Sequence, residues 1–445
     1  MKYFRILLTL MLLASCKNIS MENKIPFAEF LNNYYEERLK LNPLEATMVG
    51  DSRYNDIFLI DISQDHLNNV NDFYTDYHKK LRKYDRNSLS ENEKLSFDIL
   101  DWECRIQLEE LEFHSELIPI NQFASMHLTI GQFAGGSSVQ PFKTVNDYDN
   151  WLKRLDGFAA WCDTAIENMK TGIEKGYVLQ KVLAAKVIEQ FDALDHGPAE
   201  KHLFYKPITN MPGSFPVADK ERLAKEYTDK INNLIIPAFR KLHDFFVKTY
   251  LPACRNSDGL SGLPNGKKWY EFKVKYNTTT DLSPDSVFNI GLSEVKRISA
   301  EMEKVMKQVG YTGDLISFFN HVRENKKLMP YKKADDVIAH FNTIYNTIQG
   351  NLHKLFEVSP KTAFEIRRTE AFREKTASAE YVPGAWDGSR PGIFYVPVPN
   401  AEEYNVYADE DLFLHEAIPG HHYQISLQQE DTTLPKFRRG SWYGA

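Results

Sequence analysis

Apolar residues recur at i, i+3, i+4 and i+7 through most of this chain, the spacing that lines one face of a helix. The pattern predicts helices over 26–40, 63–82, 90–113, 147–173, 218–248, 284–308 and 333–356. Start signals support it. Ser283-Pro284-Asp285 puts a side-chain oxygen at the N-cap and proline at the first helical position, where its missing N–H costs nothing. Glycine and proline gather instead in connections at 131–141, 205–216, 251–266 and 382–400, and no internal repeat or low-complexity tract stands out. One stretch departs from the helical period. Gly392-Ile393-Phe394-Tyr395-Val396-Pro397-Val398 is β-branched and aromatic and predicts a short strand. Pro397 cannot donate to a ladder, so this strand is expected at a sheet edge. There it either receives an extended peptide by strand addition or merely borders a small sheet.

Composition narrows the classes. With 445 residues, 42% hydrophobic and 13% aromatic, the chain is long enough for a large core, and no flexible linker divides it. The formal net charge of −7 comes with no basic stripe, which argues against a nucleic-acid partner. The first residues read as a processing signal: Lys2 and Arg5, then an apolar run from Ile6 to Ala14, then Leu13-Ala14-Ser15-Cys16. The run is shorter than the ~20 residues a membrane span needs and fits a secretory signal. A cysteine after Leu-Ala-Ser resembles the bacterial lipobox, which implies lipidation at Cys16; an ordinary signal peptide with an incidental cysteine is the alternative. Acyl chains contribute ~0.8 kcal/mol per buried CH₂, so a multiply acylated cysteine holds a protein at a membrane. The expected location is the cell envelope, outside the cytoplasm, with the membrane reached through the lipid anchor only. Cys104, Cys162 and Cys254 form no C-x-x-C pair, and at most one disulfide can join them.

The chemistry concentrates near the C-terminal end. Asn400 and Glu403 predict a capped helix start, running through Tyr404, Tyr407, Leu412 and Leu414 into His415-Glu416-Ala417-Ile418-Pro419-Gly420-His421-His422. Two histidines on one helical face with an adjacent glutamate can hold zinc and supply a general base. Here the position four residues after His415 is Pro419. On a regular helix His421 would lie about 240° round from His415, and His422 roughly 10.5 Å further along the axis. Two nitrogens each ~2.0–2.1 Å from one zinc lie within about 4 Å of each other, so an undistorted helix forbids either pairing. Pro419-Gly420 supplies a distortion, since proline breaks the hydrogen-bond ladder and glycine permits unusual backbone angles. A short excursion there returns His421 toward His415 and leaves His422 as a supporting or substrate-side group. The plainer alternative is a helix that ends at Pro419-Gly420 with polar histidines at its tip.

His415-Glu416-Ala417-Ile418-Pro419-Gly420-His421-His422-Tyr423-Gln424 resembles the signature of the bacterial family called domain of unknown function 885. That family is grouped with the zinc peptidases of the thermolysin, carboxypeptidase Taq and angiotensin-converting enzyme clan. Asp387-Gly388-Ser389-Arg390-Pro391-Gly392, Gly135 to Phe142 and Thr278 to Pro284 are similar to other stretches of the family, so the resemblance spans about residues 26 to 445. It implies a mainly α, cleft-containing zincin-like (gluzincin) fold with a small β-sheet. It also implies a Zn²⁺ cofactor held by His415 and His421, with Glu416 as catalytic base. The expected organisation is a signal peptide over 1–16, a linker over 17–25, an N-terminal helical part over 26–260 and a peptidase-like part over 261–445.

A catalytic zinc takes a third protein ligand, which the resemblance places in a Glu-Gly-Trp-like segment after an Arg-rich stretch. Phe437 to Ala445 resembles the approach to that segment, so the third ligand is expected beyond residue 445, in a chain read as C-terminally incomplete. Glu430 is expected to point along its helix rather than at the metal. Arg390 is a candidate for a substrate carboxylate or a brace for its own turn. Tyr395, Tyr423 and Tyr443 are unranked candidates for an oxyanion donor. The expected function is a lipid-anchored zinc metallopeptidase of carboxypeptidase or oligopeptidase type. A non-catalytic peptide-binding lipoprotein and a zinc hydrolase of a non-peptide amide are the rivals. Gly131 to Ser138 lacks the ending of a phosphate loop and is read as a packed turn.

Overall fold

A computed structural model of the protein describes residues 25–136 and 138–440; the expected signal peptide, Cys16 and Tyr443 lie outside them. The helices that carry the architecture are α1 (Phe27–Leu41), α2 (Gln64–Leu81), α3 (Glu91–Glu110), α4 (Met126–Ala134), α5 (Val145–Lys175), α6 (Lys181–Asp192), α7 (Val217–Lys230), α8 (Ile236–Phe245), α9 (Gly266–Thr278), α10 (Pro284–Gln308), α11 (Leu315–Glu324) and α12 (Ala334–Gln349). The sheet and the last helices follow: β1 (Phe364–Arg368), β2 (Glu380–Val382), β3 (Gly392–Val396), α13 (Asp409–Glu416), α14 (Gly420–Glu430) and α15 (Lys436–Gly440). Local chemistry sets several boundaries. Ser90 with Glu93 and Thr144 with Asp147 form reciprocal capping boxes at α3 and α5. Ser283 caps α10 as its sequence predicts. The 218–248 stretch is helical but not uniform. A π turn at Ile231–Ile235 precedes Pro237, whose missing N–H the wider turn accommodates.

The largest core surrounds α5, where Trp151, Leu155, Phe158 and Trp161 meet Phe191 of α6 and Phe239 and Leu242 of α8. A second, aromatic core joins Tyr34 and Tyr77 to Phe437 of α15. A third joins Phe341 of α12 to Phe394 and Val396 of β3 and to Phe413, Ala417, Ile418 and Tyr423 around the break between α13 and α14. The strand order is β1-β3-β2, with β1 parallel and β2 antiparallel to β3. Every residue of β3 is buried. Ile393 and Tyr395 enter the α5 core, whereas Phe394 and Val396 enter the core under α13.

The expectation of an edge strand at 392–398 is therefore corrected. Pro397 lies one residue past the last paired position, so it never has to donate, and β3 runs through the centre of the sheet. The two edges of the sheet are β1 and β2. The three cysteines among the described residues are unpaired. No described helix is long and apolar enough to cross a membrane. Along α10 only Met306 is buried, while Phe288, Leu292, Val295, Ile298, Met302 and Val305 are exposed.

His127 of α4 is fully buried, with Nε2 2.9 Å from Gln190 Oε1 and Nδ1 3.0 Å from Ser125 Oγ. Burial pushes its pKa down from 6.5 to about 4. The unfolded chain then binds the extra proton first as pH falls, so His127 contributes stability present above about pH 6.5 and lost toward pH 4. His127→Gln is expected to flatten the rise of unfolding free energy across that window by a few kcal/mol. Urea melts at several pH values measure it; an unchanged slope would remove the assignment.

Candidate metal centre

The approach to His415 differs from the expected continuous helix. Asn400 accepts from the N–H of Glu402 and caps a 3₁₀ turn at Ala401–Glu403, and Asn405 caps a second at Val406–Ala408. Asn405 also donates to the carbonyls of Val322 and Arg323 in α11, which pins this connection. Helix α13 begins only at Asp409. Three acidic residues open it, favourable at the positive end of the helix dipole. Asp409 itself is buried, accepts from Tyr404 Oη at 2.9 Å and lies 3.3 Å from His340 Nε2.

The helix breaks where the sequence places its proline and glycine. Ala417 leaves helical geometry at φ −114 and ψ −99, the Ile418–Pro419 peptide is cis, and α14 restarts at Gly420. The N–H groups of Ala417 and Ile418 both reach Phe413 O, and His422 N–H reaches Ala417 O. Gly420 is required by space: a Cβ there would lie 1.9 Å from the carbonyl oxygen of His415 and 2.4 Å from that of Leu414.

The break brings His415 and His421 together, with ring centroids 4.9 Å apart and planes at 79°. The Glu416 carboxylate lies 3.9 Å from His415 Nε2 and 3.7 Å from His421 Nε2. The three donor atoms fall within 4.8 Å of one another. Nitrogens on one zinc lie within about 4 Å, so a side-chain adjustment of under about 1 Å brings the set to bonding distance. His415 can make it, since its side chain is 67% exposed; Glu416 and His421 are each 14% exposed. Burial, then the neighbouring His415, lowers the pKa of His421 and favours the neutral imidazole that ligates metal. Burial raises that of Glu416 above the usual carboxylate range, opposed by His415 and reinforced by Glu380. Borderline N and O donors of this kind can hold a zinc-like divalent cation.

His422 lies elsewhere. It is buried, its Nδ1 is 2.9 Å from Tyr381 Oη, and its ring packs against Phe364. Burial pushes its pKa down to about 4. It holds α14 to the sheet instead of facing substrate, which corrects the substrate-side expectation. Gly392 makes room for this contact, because a Cβ there would come 2.1 Å from Tyr381 Oη.

Of the two roles expected for Arg390, the brace of its own turn is the one the contacts match. Its guanidinium donates to the carbonyls of Met48 and Pro383, and burial lowers its pKa to about 10. It braces the 383–390 turn against the residues around Met48. Tyr395 is on the sheet face opposite α13, its ring under the Arg373 guanidinium at 5.5 Å, so it is no substrate ligand. Tyr423 donates to Ser359 Oγ at 3.2 Å. Glu430 accepts from the N–H groups of Lys361 and Thr362 and from Thr362 Oγ1, and it is not part of the cluster of His415, Glu416 and His421.

Glu416 and His421 line one side of a cleft of about 430 Å³. The segment from Gln122 to Gln132, including α4, forms the facing wall, and Arg373 to Tyr381 forms the third side. Tyr381 lies 6.4 Å from the His421 ring at 24°. None of these wall residues was singled out from sequence, because they come from segments far apart and carry no shared spacing. A second cluster, Asp192, Asp195 and His243, also escaped, since α6 and α8 bring it together. Asp195 there lies 2.7 Å from His243 Nδ1 and 2.6 Å from His196 Nδ1.

Fold and site together define a mainly helical protein with a small mixed sheet, whose helix break gathers two histidines and a glutamate beside a cleft. The chain belongs to DUF885, a family of bacterial proteins of unknown function, whose model matches residues 43–445. Its fold is similar to the crystal structure of the "putative lipoprotein from Colwellia psychrerythraea", with a TM-score of 0.84 and 21% identity over 93% of this chain and 74% of that one. No curated protein matches the sequence.

Proposed function

We propose that this protein is a lipid-anchored zinc metallopeptidase of the cell envelope that hydrolyses peptides. The observation that carries the reading is the convergence of His415, Glu416 and His421 beside the cleft. His415 and His421 would hold the metal. A zinc ion supplies electrophilic activation of a carbonyl and of water. Glu416, half-buried with a raised pKa, takes the proton of the attacking water and passes it to the leaving amine. The free edge of β2, next to Tyr381, supports an extended substrate backbone. The lipid anchor rests on the Cys16 motif and on a fold neighbour described as a lipoprotein.

One observation favours a second reading. Apart from Glu416, the described cluster offers two protein ligands, whereas catalytic zinc sites have three. A peptide-binding lipoprotein that does not turn over its ligand is consistent with that. Peptides of several lengths, with free and blocked C-termini, decide between them. Cleavage abolished by a chelator and restored by zinc is expected. Saturable binding without turnover at added zinc selects the second reading, and neither binding nor cleavage defeats both.

A further inference from the structure

The charges along the cleft wall say which peptides it takes. Glu380 opens the edge strand β2. Its neighbour Tyr381 faces α14 through His422, so Glu380 turns to the opposite face, toward α4. There Gln132 Nε2 donates to its Oε1 at 3.1 Å and Arg373 Nη2 to the same oxygen at 2.6 Å. Its Oε2 accepts no hydrogen bond among the described residues, and the side chain is 38% exposed against 14% for Glu416. It lines the same cleft as Glu416 and His421.

Arg373 is the one lysine or arginine among the described lining residues, and two of its three guanidinium nitrogens are engaged by carboxylates. Its Nε donates to Glu370 at 2.7 Å, its Nη2 donates to Glu380, and its guanidinium covers the Tyr395 ring. Two carboxylates around one guanidinium leave this group with one net negative charge. An incoming carboxylate meets a guanidinium already paired with two carboxylates, and Arg390 donates to backbone carbonyls. An incoming cation meets the open oxygen of Glu380, with the small side chains of Ser125, Thr129, Thr376 and Ser378 leaving room around it.

Resting on the peptidase reading, we infer that Glu380 is the specificity-determining position at which the cleft takes a positively charged group of its peptide, close to the scissile bond. That group is either the α-ammonium of the first residue or a lysine or arginine side chain. A charge-assisted pairing at a partly buried carboxylate corresponds to about a tenfold preference.

The test uses the full chain with zinc. Matched peptides carry lysine or arginine against norleucine or citrulline, each with a free or acetylated N-terminus. The readouts are kcat/KM and, in a Glu416→Gln background, Kd from fluorescence anisotropy. Cationic peptides are expected to be favoured about tenfold. Glu380→Gln should bring that ratio near one, and Glu380→Asp, which keeps the charge, should preserve most of it. A preference abolished by acetylation assigns the α-ammonium; one abolished by norleucine or citrulline assigns the side chain. Cleavage with no cationic preference overturns the inference and leaves the peptidase reading standing. So does a Glu380→Gln variant that weakens all peptides alike, as a merely structural role would. If no peptide is bound or cleaved, the peptidase reading falls and this inference with it.

Discussion

Replacing Glu416 by glutamine is expected to leave the bound metal in place and to lower peptide turnover by about a thousandfold, within the range that general acid–base groups supply. Glutamine keeps the size of glutamate, and both histidines remain untouched, so the geometry of the break has no reason to change. What is lost is the proton acceptor. The carboxylate lies within 4 Å of both imidazoles, on the cleft side and only 14% exposed, where a base can act on a water held between metal and substrate. Metal content from elemental analysis, measured beside kcat for a cleaved peptide, separates two roles. Retained metal with lost turnover assigns Glu416 as the base. Metal lost together with turnover makes Glu416 a ligand, which the 4.8 Å donor cluster also allows. Turnover within tenfold of the unaltered protein would remove Glu416 from the chemistry.

The cluster of His415, Glu416 and His421 was legible in sequence because it is local: the three lie within seven residues, and the proline–glycine pair between them breaks the helix that would hold the two histidines apart. The long helices were legible for a related reason. A 3.6-residue period sustained over many residues identifies the apolar face, which Val145–Lys175 buries, and Pro284–Gln308 also starts and stops where the pattern does although its apolar face is exposed. Short elements carry no such signal. Met126–Ala134 is nine residues and Glu380–Val382 three, yet these make two walls of the cleft. The strand at Gly392–Val396 was visible, but its place in the sheet was not, since that depends on where Pro397 falls relative to the last pair. The same limit explains the side chains that were misplaced. His422 and Tyr395 are the right residue types near the right motif, and only the packing decides which face each presents. Glu380 and Arg373 had the opposite problem: they become neighbours of Glu416 only once the sheet folds over α4.

Gly420→Ala is expected to cost about 3 kcal/mol of stability, at the upper end of the usual cost of an overpacked site, and to weaken zinc binding about a hundredfold. The added methyl would sit 1.9 Å from the His415 carbonyl oxygen and 2.4 Å from that of Leu414. Both are backbone atoms, so no flexible side-chain end can give way. Relief requires α14 to move from α13, and that movement separates His421 from His415. It also strains the contacts of Ala417 and Ile418 with Phe413, which is fully buried in the core shared with β3 and α12. Gly350→Ala is the control. Its backbone is right-handed helical at φ −64 and a Cβ there meets nothing within 4 Å, so it should leave both quantities unchanged. Thermal melts with and without zinc, paired with zinc titration, read both effects. If Gly420→Ala binds zinc as the unaltered protein does, the spacing of the two histidines does not depend on the close approach at Gly420.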